Sequence, residues 1–238
     1  MDNISDLKTS SWYQALADHT FPTSFVKLSK DEIDALKEGD TKSKIADEVV
    51  KRLEHPMRSF PGNCFVFTDM VAPTDTERFE SKRGAVHSAK SAWRFLCESE
   101  KTRKAAADGL AEHICIRPFR RVTRAREFRL FIRDGALKGM SQYWLLRHYR
   151  RLVGPQNEYW DKAKALVANI AWLLPTPTVV MDIYITSHGN ILIIDFNPWG
   201  PPTLPLMLKS WDRDWTTESG NLLIPPPTTL SGDVNVSF

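Results

Sequence analysis

The stretch Val179–Gly200, VVMDIYITSHGNILIIDFNPWG, decides how this chain is read. Its apolar runs predict two largely buried strands, Thr178 to Thr186 and Ile191 to Phe196, joined by the turn Ser187-His188-Gly189-Asn190. Three oxygen-bearing side chains interrupt them: Asp182, Asp195 and Asn197. A two-residue turn at His188-Gly189, or a four-residue turn around it, sets Asp182 opposite Asp195. A turn at Gly189-Asn190 sets Asp182 opposite Asn197 instead. Side chains alternate faces with period two, so either register gathers all three on one face. A three-residue loop would break that parity. Two carboxylates at cross-strand distance repel unless a proton or cation sits between them. Carboxylates with an amide oxygen suit Mg²⁺, a hard cation that completes its shell with phosphate and water. A pair of strand-end aspartates capping turns accounts for the same pattern equally well.

The rest of the chain sets the frame. With 238 residues and 42% hydrophobic content, it is long enough for one large domain or two small lobes, and eight tryptophans and twelve phenylalanines supply a bulky core. The net charge of +3 is unevenly spread. Arg117 to Arg151 carries ten arginines and Lys138 against Glu127 and Asp134, a net +9, which leaves about −6 elsewhere. Such asymmetry points to an anionic partner: nucleotide, phosphate or RNA. Cys64, Cys97 and Cys115 lack metal-like spacing and suggest a reducing compartment. No signal peptide or membrane-spanning apolar run is evident, so the expectation is a soluble, cytoplasmic protein without a membrane partner.

Along the chain, Ser29-Lys30-Asp31-Glu32 has capping-box spacing and opens a helix ending near Gly39, followed by a helical pattern from about Lys42 to Glu54. Cys64 to Thr68 reads as a short strand, Val86 to Cys97 and Ser99 to Asp108 as helices, and Ile114 to Phe119 as extended. Asp134-Gly135 is a strong hairpin signal between Glu127–Arg133 and Ala136–Trp144. Tyr159 to Leu174 reads as a helix, and Leu204 to Trp215 as helical after its first turn. The run Tyr143 to Arg151, YWLLRHYRR, reads as a single-stranded nucleic-acid surface, or equally as a helix with Trp144 and Leu145 in the core. The class is α+β in two lobes: residues 1–113, residues 114–224, and a flexible tail from 225 to 238.

The run EFRLFIRDGALKGMSQYW from Glu127, followed later by VVMDIYI and IIDFNPWG, resembles the cell division cycle protein 123 family. Weaker similarity extends through SSWYQALADHTFPTSFVKL, APTD and SAKSAWRFLCES. The resemblance implies an ATP-grasp fold, with Mg-ATP held between two α+β lobes. It implies Asp182, Asp195 and Asn197 as magnesium ligands, Arg129 facing the phosphates with Glu127 beside it, and Arg117 in the connection passing the nucleotide base. This sequence departs from the family at two points. Phe67 stands where the family has a phosphate-gripping lysine, for which Lys82 is a substitute, and Thr203-Leu204 replaces a Thr-Asp pair.

Three functions follow as expectations. One is an ATP-grasp enzyme joining a carboxylate to an amine through an acyl phosphate, with Arg129 and Glu127 as catalytic residues and Arg117, Lys82 and Arg129 on the cofactor. Another keeps the fold but takes its acyl group from aminoacyl-tRNA, held along Arg117 to Arg151. The broad class expected first is amide- or peptide-bond formation. The alternative is an ATP-binding assembly chaperone for translation initiation factor two.

Overall fold

A computed structural model describes residues 4–227, so most of the expected tail lies outside the described residues. The chain divides its strands between two sheets. Helix α1 (Thr9–Leu16) leads into β1 (Ser24–Lys27), α2 (Lys30–Glu38), α3 (Lys44–Arg58), β2 (Cys64–Thr68) and α4 (Glu77–Lys82). Helices α5 (Ala89–Glu98) and α6 (Glu100–Ala107) precede β3 (His113–Pro118), which lies between β1 and β2 in an antiparallel three-stranded sheet. The connection 119–126 then enters a five-stranded sheet. Its members are β4 (Glu127–Arg133), β5 (Ala136–Gln142), β6 (Val179–Ile185), β7 (Ile191–Asn197) and β8 (Asn221–Leu222), in the order β7-β6-β4-β5-β8, with α7 (Gln156–Ile170) between β5 and β6.

Local chemistry sets most of the boundaries. Ser29 and Glu32 form the reciprocal capping box of α2, and Gly39 ends that helix at φ +69°. Ser43, Ser88 and Ser99 cap α3, α5 and α6. Asp134 and Gly135 both adopt positive φ, +52° and +71°, the condition for the tight β4–β5 turn.

Each sheet has its own core. Val66, Ile114 and Ile116 of the small sheet pack beneath Leu36, Leu53, Trp93 and Phe95. One face of the large sheet, with Phe128, Leu130, Met181 and Ile183, packs on Val167 and Ile170 of α7 and on Trp12 and Leu16 of α1. Trp12 meets Phe196 edge-on at 5.1 Å between centroids. The opposite face is apolar at one end only, where Trp199, Trp211 and Trp215 close over Phe131.

Two sequence expectations are corrected. Tyr143 to Arg151 is a loop with one short 3-10 turn at its end, and Leu145 is 43% exposed rather than buried. The buried Gln142 amide donates to the carbonyls of Trp144 and Arg147, which a continuing helix would need for itself. Leu204 to Trp215 holds only a 3-10 turn, Leu206–Leu208. Leu206 and Lys209 sit at positive φ, which lets Trp211 and Trp215 reach Phe131 instead of continuing a helix. Among the described residues no helix is long and apolar enough to cross a membrane. The three cysteines are buried and unpaired, and burial pushes the pKa of each thiol up.

Candidate functional site

The β6–β7 hairpin reaches the expected register by an unexpected route. The turn is the three-residue loop Ser187-His188-Gly189, closed by Thr186 N–H to Asn190 C=O at 2.8 Å, with Gly189 at φ +82°. Such a loop alone would send Asp182 and Asp195 to opposite faces. A bulge next to Asp182, where Ile194 has no partner across the ladder, adds one residue and restores parity. Asp182 therefore stands opposite Asp195, and Val180 opposite Asn197.

The three side chains converge. Asn197 Nδ2 donates to Asp182 Oδ2 at 3.1 Å and to Asp195 Oδ1 at 3.0 Å. Arg129, across the ladder on β4, grips Asp182 with two parallel bonds, Nε to Oδ1 at 2.7 Å and Nη2 to Oδ2 at 2.8 Å. Its Nη1 donates to the Leu204 carbonyl at 3.0 Å, and its guanidinium lies 5.1 Å from the centre of the Tyr143 ring. Arg129 thus looks onto an anion, and that anion is Asp182. Burial alone would lower the Arg129 pKa; the Asp182 charge and hydrogen bonds outweigh it and raise it. Burial raises Asp195, and the neighbouring Asp182 carboxylate raises it further. Two carboxylates this close share a proton or call for a cation. No cluster of three or more His, Cys, Asp or Glu side chains suited to a metal occurs among the described residues. The donor set here is two carboxylates and an amide that can present Oδ1 when turned.

The small sheet supplies the facing wall. Arg117 of β3 lies between Phe67 (4.6 Å) and Phe21 (5.6 Å). Its Nε donates to Thr23 Oγ1 at 2.9 Å, and its Nη1 crosses to the carbonyl of the bulged Ile194 at 3.0 Å. Its Nη2 is buried without a hydrogen-bond partner. Burial lowers its pKa to about 10, against which Asp195 pulls upward. Phe67 thus serves as the platform for Arg117. A cavity of about 40 Å³ lies here, lined by Phe65, Phe67, Met70, Arg117, Ile194 and Asp195 among others. A larger hollow of about 660 Å³ lies among the small-lobe helices, around Lys42, Lys90, Arg94, Asp47 and Glu98. Its charges are of mixed sign and none of the convergent groups borders it, whereas Arg117 and Asp195 border the smaller cavity.

Glu127 opens β4 on the same face as Arg129 and accepts from Trp144 Nε1 at 2.8 Å. Burial raises its carboxyl to about 7; the Trp144 bond and the charges of Arg124 and Arg83 pull the other way. Arg124 stacks on Trp144 at 4.4 Å. Lys82 is exposed at the end of α4, and it is its neighbour Arg83, at φ +57°, whose charge reaches Glu127. Sequence reasoning missed Arg83, Tyr143 and Trp144 as members of this site. For the last two the signal was present, since both directly follow the β5 strand.

The family described as D123 matches residues 78–217, more than half of the chain. C-terminally truncated Cdc123 from Schizosaccharomyces pombe superposes with a TM-score of 0.78 at 18% identity, over 92% of this chain and 94% of that one. The likeness is one of fold, and it bears out the α+β, ATP-grasp-like architecture. A putative CDC123-like protein of Acanthamoeba polyphaga mimivirus is 25% identical over 86% of this chain and 68% of its own length. The translation initiation factor eIF2 assembly protein of Xenopus tropicalis is 32% identical over 37% of this chain, and the match spans 28% of that protein's length. These names overturn the expectation of an amide- or peptide-bond-forming enzyme, because the eIF2-related proteins are named for assembly and not for ligation. The catalytic parts expected of Arg129 and Glu127 therefore go no further.

Proposed function

The chain belongs to the D123 family, and from that membership we propose that it binds Mg-ATP between its two sheets and acts as an assembly factor for translation initiation factor eIF2. The observation that carries the nucleotide reading is the convergence of Asp182, Asp195 and Asn197 opposite a buried, unpartnered Arg117 Nη2. A carboxylate pair that needs a cation thus faces an N–H that needs an acceptor. Asp182, Asp195 and Asn197 would hold Mg²⁺, and Arg117 would donate to an anionic oxygen. When bound, Mg-ATP would supply a metal-neutralised triphosphate able to bridge the two walls.

A cavity of about 40 Å³ has room for a water but not for a nucleotide. Binding therefore requires the walls to part, and one bond that would have to yield is Arg117 Nη1 to Ile194 C=O. Arg129 stays with the large sheet and keeps Asp182 compensated throughout. The eIF2 reading rests on the names of relatives whose matches are confined to about a third of this chain.

Thermal unfolding with and without Mg-ATP tests the nucleotide reading. At about a hundredfold over Kd the ligand should stabilise the fold by about 2.7 kcal/mol. Asp195→Asn should remove the magnesium-dependent part. An unchanged melting temperature at millimolar Mg-ATP would reject it. Co-purification with eIF2 subunits tests the assembly reading separately.

A further inference from the structure

The loop after β5 exposes a surface that the nucleotide site does not use. Leu145 and Leu146 are 43% and 60% exposed, and Val153 is 51% exposed. Arg147, Arg150 and Arg151 lie exposed among them. None of these three arginines forms an ion pair among the described residues, and the segment 145–153 contains no carboxylate.

The leucines are held out. Gln142, fully buried, donates to the carbonyls on both sides of them, Trp144 at 2.6 Å and Arg147 at 3.1 Å. The same side chain accepts from Ile224 N–H, and His148 bonds the Ile224 carbonyl at 2.7 Å. Tyr149 and Leu152 anchor the far end in the large-sheet core. A fixed loop that presents two adjacent leucines has already met the ordering cost that a mobile one would meet on binding.

We infer that Leu145, Leu146 and Val153, ringed by Arg147, Arg150 and Arg151, form a docking surface for an acidic protein segment bearing apolar side chains. Charge complementarity sets the sign of the partner: three unpaired cations select carboxylates and steer their approach. The apolar centre sets its class. A single-stranded nucleic acid needs open aromatic faces, and the local ones are taken. Trp144 lies under Arg124 and bonds Glu127, and Tyr149 is covered by Arg147 at 5.3 Å. What remains open is aliphatic, which suits a protein partner better than bases. On the assembly reading, that segment belongs to the client; the surface itself does not depend on that identification.

The test uses the full chain and three probes: a fluorescent peptide of about twenty acidic residues and leucines, a single-stranded RNA of similar length, and purified eIF2 subunits. The variants are Leu145→Ser/Leu146→Ser and Arg147→Glu/Arg150→Glu/Arg151→Glu. All five positions are exposed, and circular dichroism checks folding. The expected result is peptide binding by the wild type, weakened about thirtyfold or more by the leucine pair. The arginine triple should also weaken it, with a flattened salt dependence. RNA binding that survives the leucine substitutions while the peptide fails to bind would overturn the inference. So would wild-type peptide affinity in both folded variants. If the peptide binds through the leucines but eIF2 does not bind, the surface stands and the assembly reading falls. If eIF2 and the peptide both bind equally to wild type and both variants, the assembly reading stands and the surface falls.

Discussion

Arg117 and Arg129 lie one on each sheet, and their surroundings move them in opposite directions. Arg129 has a carboxylate within two hydrogen bonds, and its pKa rises despite burial. Arg117 has two aromatic rings, a hydroxyl and a carbonyl but no direct carboxylate, and burial brings its pKa down to about 10. The difference separates two uses of a buried cation. On the large sheet the charge of Arg129 is neutralised by Asp182, and the group left without a counter-charge is the second carboxylate, Asp195. On the small sheet the cation is tolerated but not neutralised, and its Nη2 is left without an acceptor. The wall whose cation is not neutralised is the one with something to gain from an anion.

The sharpest way to break this comparison is to remove Arg129. Arg129→Ala leaves Asp182, 3% exposed, beside the raised Asp195 with no compensating charge. The expected cost is about 3–5 kcal/mol in urea unfolding. Arg129→Met combined with Asp182→Leu should recover most of it, since a buried pair is worth little more than well-packed apolar atoms. A loss under 1 kcal/mol in the single variant would mean that Arg129 is not what compensates Asp182.

Glu127 sharpens the comparison through pH. Its carboxyl holds its proton more tightly folded than unfolded, at about 7 against an ordinary 4.5. Its contribution is therefore fully present below about pH 4.5 and is lost as the pH rises through 7. Relative to Glu127→Gln, which can still accept from Trp144, the wild type should lose up to about 3 kcal/mol between pH 4.5 and 8. Parallel stability-versus-pH curves for the two proteins would show that burial does not hold the carboxyl neutral.

The smallest effect is expected at Arg117. Arg117→Met keeps an unbranched stem between Phe21 and Phe67 and removes two hydrogen bonds and two cation–π contacts. The cost should be about 1–3 kcal/mol, below that of Arg129→Ala. Calorimetry of the two variants side by side decides it, and a larger loss at Arg117 would invert the comparison.

Much of this was legible in the sequence for reasons that are local. The Ser29 capping box and the Asp134-Gly135 turn each depend on a few neighbouring residues, and each is found. The meeting of Asp182 with Asp195 was also legible, although two departures from simple pairing cancel to produce it. Gly189 suits the left-handed position of a three-residue turn, but the Ile194 bulge has no composition of its own, so only the sum of the two could be read. Lys82 and Arg83 are both exposed at the end of α4, and nothing in SKRG ranks one cation over the other. Helix α1 went unread although Thr9, Trp12 and Leu16, all buried, keep helical spacing. The expected helix from Leu204 failed because Pro201, Pro202 and Pro205 precede a segment whose tryptophans gain more by stacking.

Strand β7 is the outermost strand of the large sheet, where unpaired backbone groups could recruit a strand from another molecule. The middle of that edge is blocked. Thr20 bridges Ile193 and bonds its carbonyl at 2.7 Å, and Arg117 occupies the carbonyl of the bulged Ile194. The bulge that aligns the carboxylates thus also guards against edge-to-edge aggregation. Parting the walls to admit a ligand would lift Arg117 from that carbonyl, so each opening would briefly trade solubility for access. A filled cleft would keep the chain away from its own copies.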